Sequence, residues 1–248
     1  MRRLVLVVGL SACGFTPITL GAMQLDGNPG AEPVPLDAYE PRTLYANSDQ
    51  MLYRVDVDAK TATLVGPIGQ SINGLAELDG VLLGIPASGT SLVTIDPATA
   101  QVTHAVDLSS TGTYYALAVG AGTIYAASPN STGNNVYTVG TDGTVTPIGS
   151  FGGGRQVAGD LAWHDGELYV TLEGPGCNSQ CIARVNLSTG AATPFITNAP
   201  NDCWALSGYR GKLWVLRGSG DVMLVDTVGN TLMQQFNASS INWWEAAE

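Results

Sequence analysis

One pattern recurs five times along the chain and leaves few architectures open. It reads Leu52-Tyr-Arg-Val-Asp56, Leu92-Val-Thr-Ile-Asp96, Val136-Tyr-Thr-Val-Gly140, Ile182-Ala-Arg-Val-Asn186 and Val222-Met-Leu-Val-Asp226. Apolar residues at the first and fourth places, followed by a turn-former, predict a strand running into a turn. A second pattern precedes each copy: Leu44-Tyr-Ala46, Leu82-Leu-Gly84, Ile124-Tyr-Ala126, Leu168-Tyr-Val170 and Leu213-Trp-Val215. After each turn comes a Thr- or Val-rich stretch such as Thr61-Ala-Thr-Leu-Val65. A fourth strand type reads Asn73-Gly-Leu-Ala76, Tyr115-Ala-Leu-Ala118, Gly159-Asp-Leu-Ala162 and Trp204-Ala-Leu-Ser207. The dipeptides Asp79-Gly80, Ala121-Gly122, Asp165-Gly166 and Arg210-Gly211 join it to the next strand, with Gly permitting the positive φ of a tight hairpin. Its fifth copy is missing before Leu44 and reappears at the far end as Trp243-Trp-Glu-Ala246.

A four-stranded unit of about forty residues, repeated radially, predicts an all-β fold, a five-bladed β-propeller over residues 42–248. The displaced copy would supply the innermost strand of the blade whose other strands begin at Leu44, closing the ring and leaving no open sheet edge. A β-sandwich, the competing architecture, would not repeat a four-part unit. The Val/Ile-Asp ending, as in Leu92-Val-Thr-Ile-Asp-Pro-Ala-Thr99, resembles the YVTN-type repeats of bacterial propellers. That resemblance covers roughly residues 42–248 and implies a fold rather than an activity, because propellers serve as enzymes, lectins and docking platforms.

Composition agrees. The 31 Gly and 13 Pro suit a turn-rich chain, and the 12% charged residues are too few for the outer faces of a helical bundle. An apolar content of 45% is enough for a core and argues against disorder. Lys+Arg number 10 against 21 Asp+Glu, a formal charge of −11. Nucleic-acid binding needs a basic stripe, and the two lysines, Lys60 and Lys212, cannot make one, so no nucleic-acid partner is expected.

The first residues read as an address. Met1-Arg2-Arg3 is a basic start, Leu4 to Leu10 an apolar run too short to span a bilayer, and Ser11-Ala12-Cys13 a small-residue cleavage region. Leu10-Ser11-Ala12-Cys13 resembles the bacterial lipobox, which implies a signal peptide over 1–12 and lipidation of Cys13. An ordinary signal peptide with an incidental Cys is the alternative. In a Gram-negative host, Gly14 in place of the Asp that favours inner-membrane retention would point to the outer membrane. Residues 13–41, with Pro17, Pro29, Pro33, Pro35 and Pro41, are expected to form a semi-extended tether. The expected setting is the bacterial cell envelope, with the membrane a partner through the lipid alone.

Catalytic chemistry is sparse. His104 and His164 fall in different blades, so no multi-histidine metal site is expected. Asp165 beside His164 is explained by its turn rather than by a triad. Gly152-Gly-Gly-Arg155 lacks the Lys-Ser/Thr of a phosphate loop. Acidic turns such as Asp56-Val-Asp58 and Asp142-Gly143 lack the dense alternation of a calcium loop. Neither metal nor cofactor is expected. With Cys13 lipidated, Cys177, Cys181 and Cys203 remain; any pairing is conceivable on one propeller face, and a local Cys177–Cys181 staple with Cys203 free is favoured.

Tyr114, Tyr115, Trp204, Trp243 and Trp244 cluster at the starts of the inner strands, with Asn73, Asp160, Asp202 and Asn242 nearby. In a propeller these starts converge around the axis on one face. Flat rings beside polar side chains suit a sugar or amphipathic ligand. The candidate ligand-binding set is Asn73, Tyr115, Asp160, Trp204, Asn242 and Trp243; inter-blade packing is the alternative role for each ring. The leading expectation is a non-catalytic module binding a small ligand, such as a glycan, or an envelope protein. The alternative is a secreted propeller enzyme, carbohydrate-active or glutaminyl-cyclase-like, using Asp160 as acid or base. Asn201 to Trp214 loosely resembles a blade start of the glutaminyl-cyclase family, but no Gly-Glu-Gly segment places a carboxylate on an inner strand.

Overall fold

The structure, a computed structural model, describes residues 43–109, 112–129, 134–238 and 240–248. The expected signal peptide (1–12), Cys13 and the whole of the tether (13–41), together with the first residue of the propeller span, lie outside them.

Twenty strands form five antiparallel four-stranded sheets. The first blade holds β1 (Leu44–Ser48), β2 (Met51–Asp56) and β3 (Thr61–Pro67). Strands β4–β7 occupy 72–107, β8–β11 116–150, β12–β15 156–199, and β16–β19 203–237. The last strand, β20 (Glu245–Ala247), pairs with β1, giving the sheet order β20-β1-β2-β3. The innermost strands are therefore β4 (Ile72–Leu78), β8 (Ala116–Gly120), β12 (Gln156–His164), β16 (Cys203–Tyr209) and β20. Each packs on the next and β20 packs on β4, so the ring is closed.

The turn chemistry explains why these segments form these hairpins. Asp79-Gly80, Ala121-Gly122, Asp165-Gly166 and Arg210-Gly211 have positive φ at both residues, the requirement of a two-residue hairpin that follows strand twist. The acidic or amide residue ending the five-residue pattern folds the next turn. Asp56 Oδ1 accepts from the amides of Asp58 and Ala59, and Asp226 Oδ1 from those of Val228 and Gly229. Asp96 and Asn186 do the same with Ala98 and Ser188. Where Gly140 replaces the acid, Asp142 takes over, accepting from Thr144. A short carboxylate or amide that mimics a backbone carbonyl is the physical content of the repeated Asp.

Five apolar clusters fill the five clefts between neighbouring blades. Because strand side chains alternate, each middle strand feeds two clefts. In β13 (Glu167–Glu173), Leu168, Val170 and Leu172 enter one cluster and Tyr169 the next. Inner strands approach closely where side chains are small. A Cβ on Gly74 would stand 3.0 Å from that of Leu117, and one on Gly159 only 2.5 Å from the Cys203 carbonyl oxygen.

The closing strand sits one residue off the repeat alignment. In the other blades the Leu of the inner strand lies opposite the third residue of the second pattern: Leu75 opposite Gly84, Leu117 opposite Ala126, Leu161 opposite Val170 and Leu206 opposite Val215. In the first blade Ala246, not Glu245, lies opposite Ala46. The structural copy is thus Trp244-Glu-Ala-Ala247. A one-residue slip exchanges the two faces of a strand, so the roles of Trp243 and Trp244 are exchanged with it.

Candidate functional site at the axial mouth

The starts of the inner strands surround a cavity of about 570 Å³ on one face of the ring. Asn73, Tyr115, Trp204, Trp244 and Glu245 contribute from four of the five inner-strand starts, and Gly159 from the fifth. Glu173 at the end of β13, Gln180 at the start of the next strand and Asn201 in a turn line the same face. A smaller space of about 140 Å³ lies at the opposite ends of the same strands, bordered by Leu75, Ala118, Leu161, Ser207 and Ala247.

Of the six candidate residues, three meet at this mouth: Asn73, Tyr115 and Trp204. Tyr115 and Trp204 keep 38% and 36% of their surface exposed, unusual for rings so near an axis. Asn242 is exposed beside them; its Oδ1 and the Trp204 ring edge both crowd the place where a Gly218 Cβ would stand. Trp243 is a correction. It is fully buried, its Nε1–H donates to the Gly220 carbonyl at 3.3 Å, and its ring meets Tyr53 edge-on at 5.6 Å. It fills the cleft between the last blade and the first, and Trp244 takes its expected place at the mouth.

Asp160 lies beneath the mouth, completely buried. Its Oδ1 accepts from the Leu117 and Leu161 amides at 3.1 and 2.8 Å, and its Oδ2 from the Ala246 amide at 3.5 Å. One carboxyl thus ties three inner strands together. Its neighbour is Glu245, at the equivalent place of β20, and the two side chains are hydrogen-bonded. The remaining residues of that tier, Gly74, Ala116 and Ala205, are small. Burial raises both carboxyls well above their ordinary range, and for Glu245 the Asp160 charge adds to it. Glu245 is therefore the protonated partner and donates to Asp160. Its Oε2 has no hydrogen-bond partner among the described residues, nor does Nε1 of Trp244.

Glu245 is absent from the candidate set, and its signal emerges only once the closing strand is read in its structural register. Its place in the other blades is held by Gly74, Ala116, Asp160 and Ala205, so in two of the five copies a carboxyl breaks a small-residue consensus. Such local departures mark sites rather than packing.

Asp202 is committed elsewhere. Its carboxylate holds Arg217 at 2.7–2.8 Å and accepts from the Ser219 amide, while Arg217 also reaches Asp221. Cys177 and Cys181 form a disulfide with Cα atoms 5.2 Å apart. Cys203 is free and buried, and burial pushes its thiol up to about 12, which leaves it unreactive.

No protein-family model matches this sequence, and no curated protein matches it. Among solved structures, a chain of the crystal structure of the nidogen/laminin complex is similar at a TM-score of 0.58. Sequence identity is 12%, over 83% of this chain and 97% of that one. Such a likeness speaks to the fold alone, and it agrees with the sheet order and ring closure: the described chain is a five-bladed β-propeller.

Proposed function

We propose that this chain is a lipid-anchored cell-envelope propeller acting as a non-catalytic binding module, with the axial mouth as its ligand site. The observation that carries the reading is the mouth itself: Tyr115, Trp204 and Trp244 around a cavity of about 570 Å³, with Asn73 and Asn201 between them. Exposed rings cover an apolar ligand face while amides orient its polar groups. The fold supports a protein-binding role equally, in which an envelope protein would insert a loop at this face.

The test is the melting temperature of the purified full chain against sugars, cell-wall fragments and peptides. A ligand at about 100 times its dissociation constant stabilises by about 2.7 kcal/mol, or roughly 5–10 °C for a chain of this size. The shift should vanish in Trp204→Ala and shrink in Tyr115→Ala. A shift that survives both substitutions would move the site away from the mouth. The lipobox-like Leu10-Ser11-Ala12-Cys13 supports the anchor and, with Gly14, an outer-membrane setting. Cys13→Ser should transfer the protein from the detergent-extracted membrane fraction to the soluble one.

The enzymatic reading has one observation in its favour, the buried carboxyl pair. Asp160 is saturated by amides beneath the mouth, so Glu245 would be the group meeting a substrate. A hydrogen-bonded pair is closer than the roughly 5–10 Å that two-carboxylate glycoside hydrolysis requires. Turnover of any panel compound that persists undiminished in Glu245→Gln and Asp160→Asn would remove this reading.

A further inference from the structure

Glu245 is 7% exposed and borders the mouth. One of its oxygens is engaged with Asp160 while Oε2 faces no partner, and Trp244 presents a buried indole N–H that is also unpartnered. Buried polar groups are normally paired, because leaving one unmade forfeits its hydration with no return. Both residues line the mouth, so one unmatched acceptor and one unmatched donor, side by side in sequence, stand in its wall.

The charge around them has one sign. The titratable side chains at the cavity are all acidic: Glu245 from β20 and Glu173 from β13 line it, Glu173 accepting from Gln156 Nε2 at 2.9 Å, and Asp160 from β12 lies beneath. The lining contributed by β4, β8 and β16 carries no charge, and no Lys or Arg lines the cavity. Tyr115 and Trp204 add exposed π faces, whose quadrupoles attract cations. A ligand complementary to this set bears a positive donor, an oxygen acceptor next to it, and a flat apolar face.

Resting on the reading of the mouth as the ligand site, we infer that its occupant is a sugar carrying a free, protonated amine. The ammonium group meets Glu245 Oε2, the adjoining hydroxyl or ring oxygen accepts from Trp244 Nε1–H, and a ring face lies against Trp204. A neutral hydroxyl would fill the same space but would gain nothing from the two carboxyls beneath it. The raised affinity of Glu245 for its proton gives this binding a signature. The entering ammonium displaces that proton to solvent, so affinity rises with pH until the sugar's own amine deprotonates.

The experiment is calorimetric titration of the full chain with a glucosamine trisaccharide, its N-acetylated counterpart and phenylalaninamide, in two buffers of different ionisation enthalpy. The free-amine sugar should bind at least about tenfold tighter than the acetylated one, a charged hydrogen bond being roughly twice as strong as a neutral one. It should release protons on binding. Glu245→Gln keeps a donor for Asp160, so its circular dichroism should match the parent while both the amine preference and the proton release disappear. Equal or tighter binding of the acetylated sugar overturns the inference and leaves the mouth as a ligand site. Tighter binding of phenylalaninamide overturns the sugar and keeps the amine. No binding by any of the three overturns the inference, and no melting shift across the wider panel overturns the mouth as well.

Discussion

Adjacent tryptophans illustrate how much one residue of register decides. Trp243 fills a cleft between blades and Trp244 looks into the mouth, although nothing in their side chains distinguishes them. Trp243→Ala is expected to cost about 3–5 kcal/mol, the usual range for emptying a fully buried large ring. Trp204→Ala, at a half-exposed ring, should leave the unfolding midpoint nearly unchanged and abolish ligand binding. Chemical denaturation of the two variants in parallel checks this, and comparable losses would place Trp204 in the packing rather than the site. The repeated Asp is equally legible at this scale. Asp56, Asp96 and Asp226 were readable as turn-formers because a short carboxylate beside its own chain acts locally. Asp160 departs from its repeat, but its role is not local, since its partners lie 43 and 86 residues away as well as next door.

At the level of strands, the alternation of apolar residues and the paired turn residues place nearly every hairpin. Their registers follow because each middle strand must serve two clefts at once. The inner strands are held to a tighter rule, since five of them share one axis and small residues must stand where backbones approach. Gly159→Ala would bring a methyl group to 2.5 Å from the Cys203 carbonyl oxygen. That atom belongs to the backbone of β16 and cannot rotate aside, so the substitution should cost about 1–3 kcal/mol. An unfolding midpoint equal to the parent's would mean that β12 and β16 separate freely. The closing strand is the least legible element. Its three residues pair only with Tyr45, Ala46 and Asn47, and Trp243-Trp-Glu-Ala246 fits the repeat equally well in two registers.

For the molecule as a whole, ring closure brings two carboxyls from distant parts of the chain into one dry layer, and this predicts an unusual pH response. Both folded-state values are raised above those of the unfolded chain. Their contribution to stability is therefore complete below the unfolded carboxylate range, near pH 4, and is lost as pH rises toward the folded values. Asp221, lowered chiefly by its hydrogen bond from Asn237, acts in the opposite sense and loses its contribution as the solution is acidified. The difference in denaturation midpoint between the parent and Glu245→Gln should therefore shift steadily in favour of the variant from about pH 4 upward. Parallel curves would show that Glu245 does not hold its proton. By itself the sequence determined the blade count, the strands, the hairpin turns and the sharing of one blade between the two ends of the propeller. The strands and turns rest on interactions within about forty residues that repeat five times, and the shared blade was legible because the copy missing at one end of the repeat stands at the other. The tertiary structure alone decided which tryptophan opens onto the mouth and that Asp160 meets Glu245. Those outcomes depend on closing the ring, where residues that share no local pattern are brought to one axis and their charges are settled by burial.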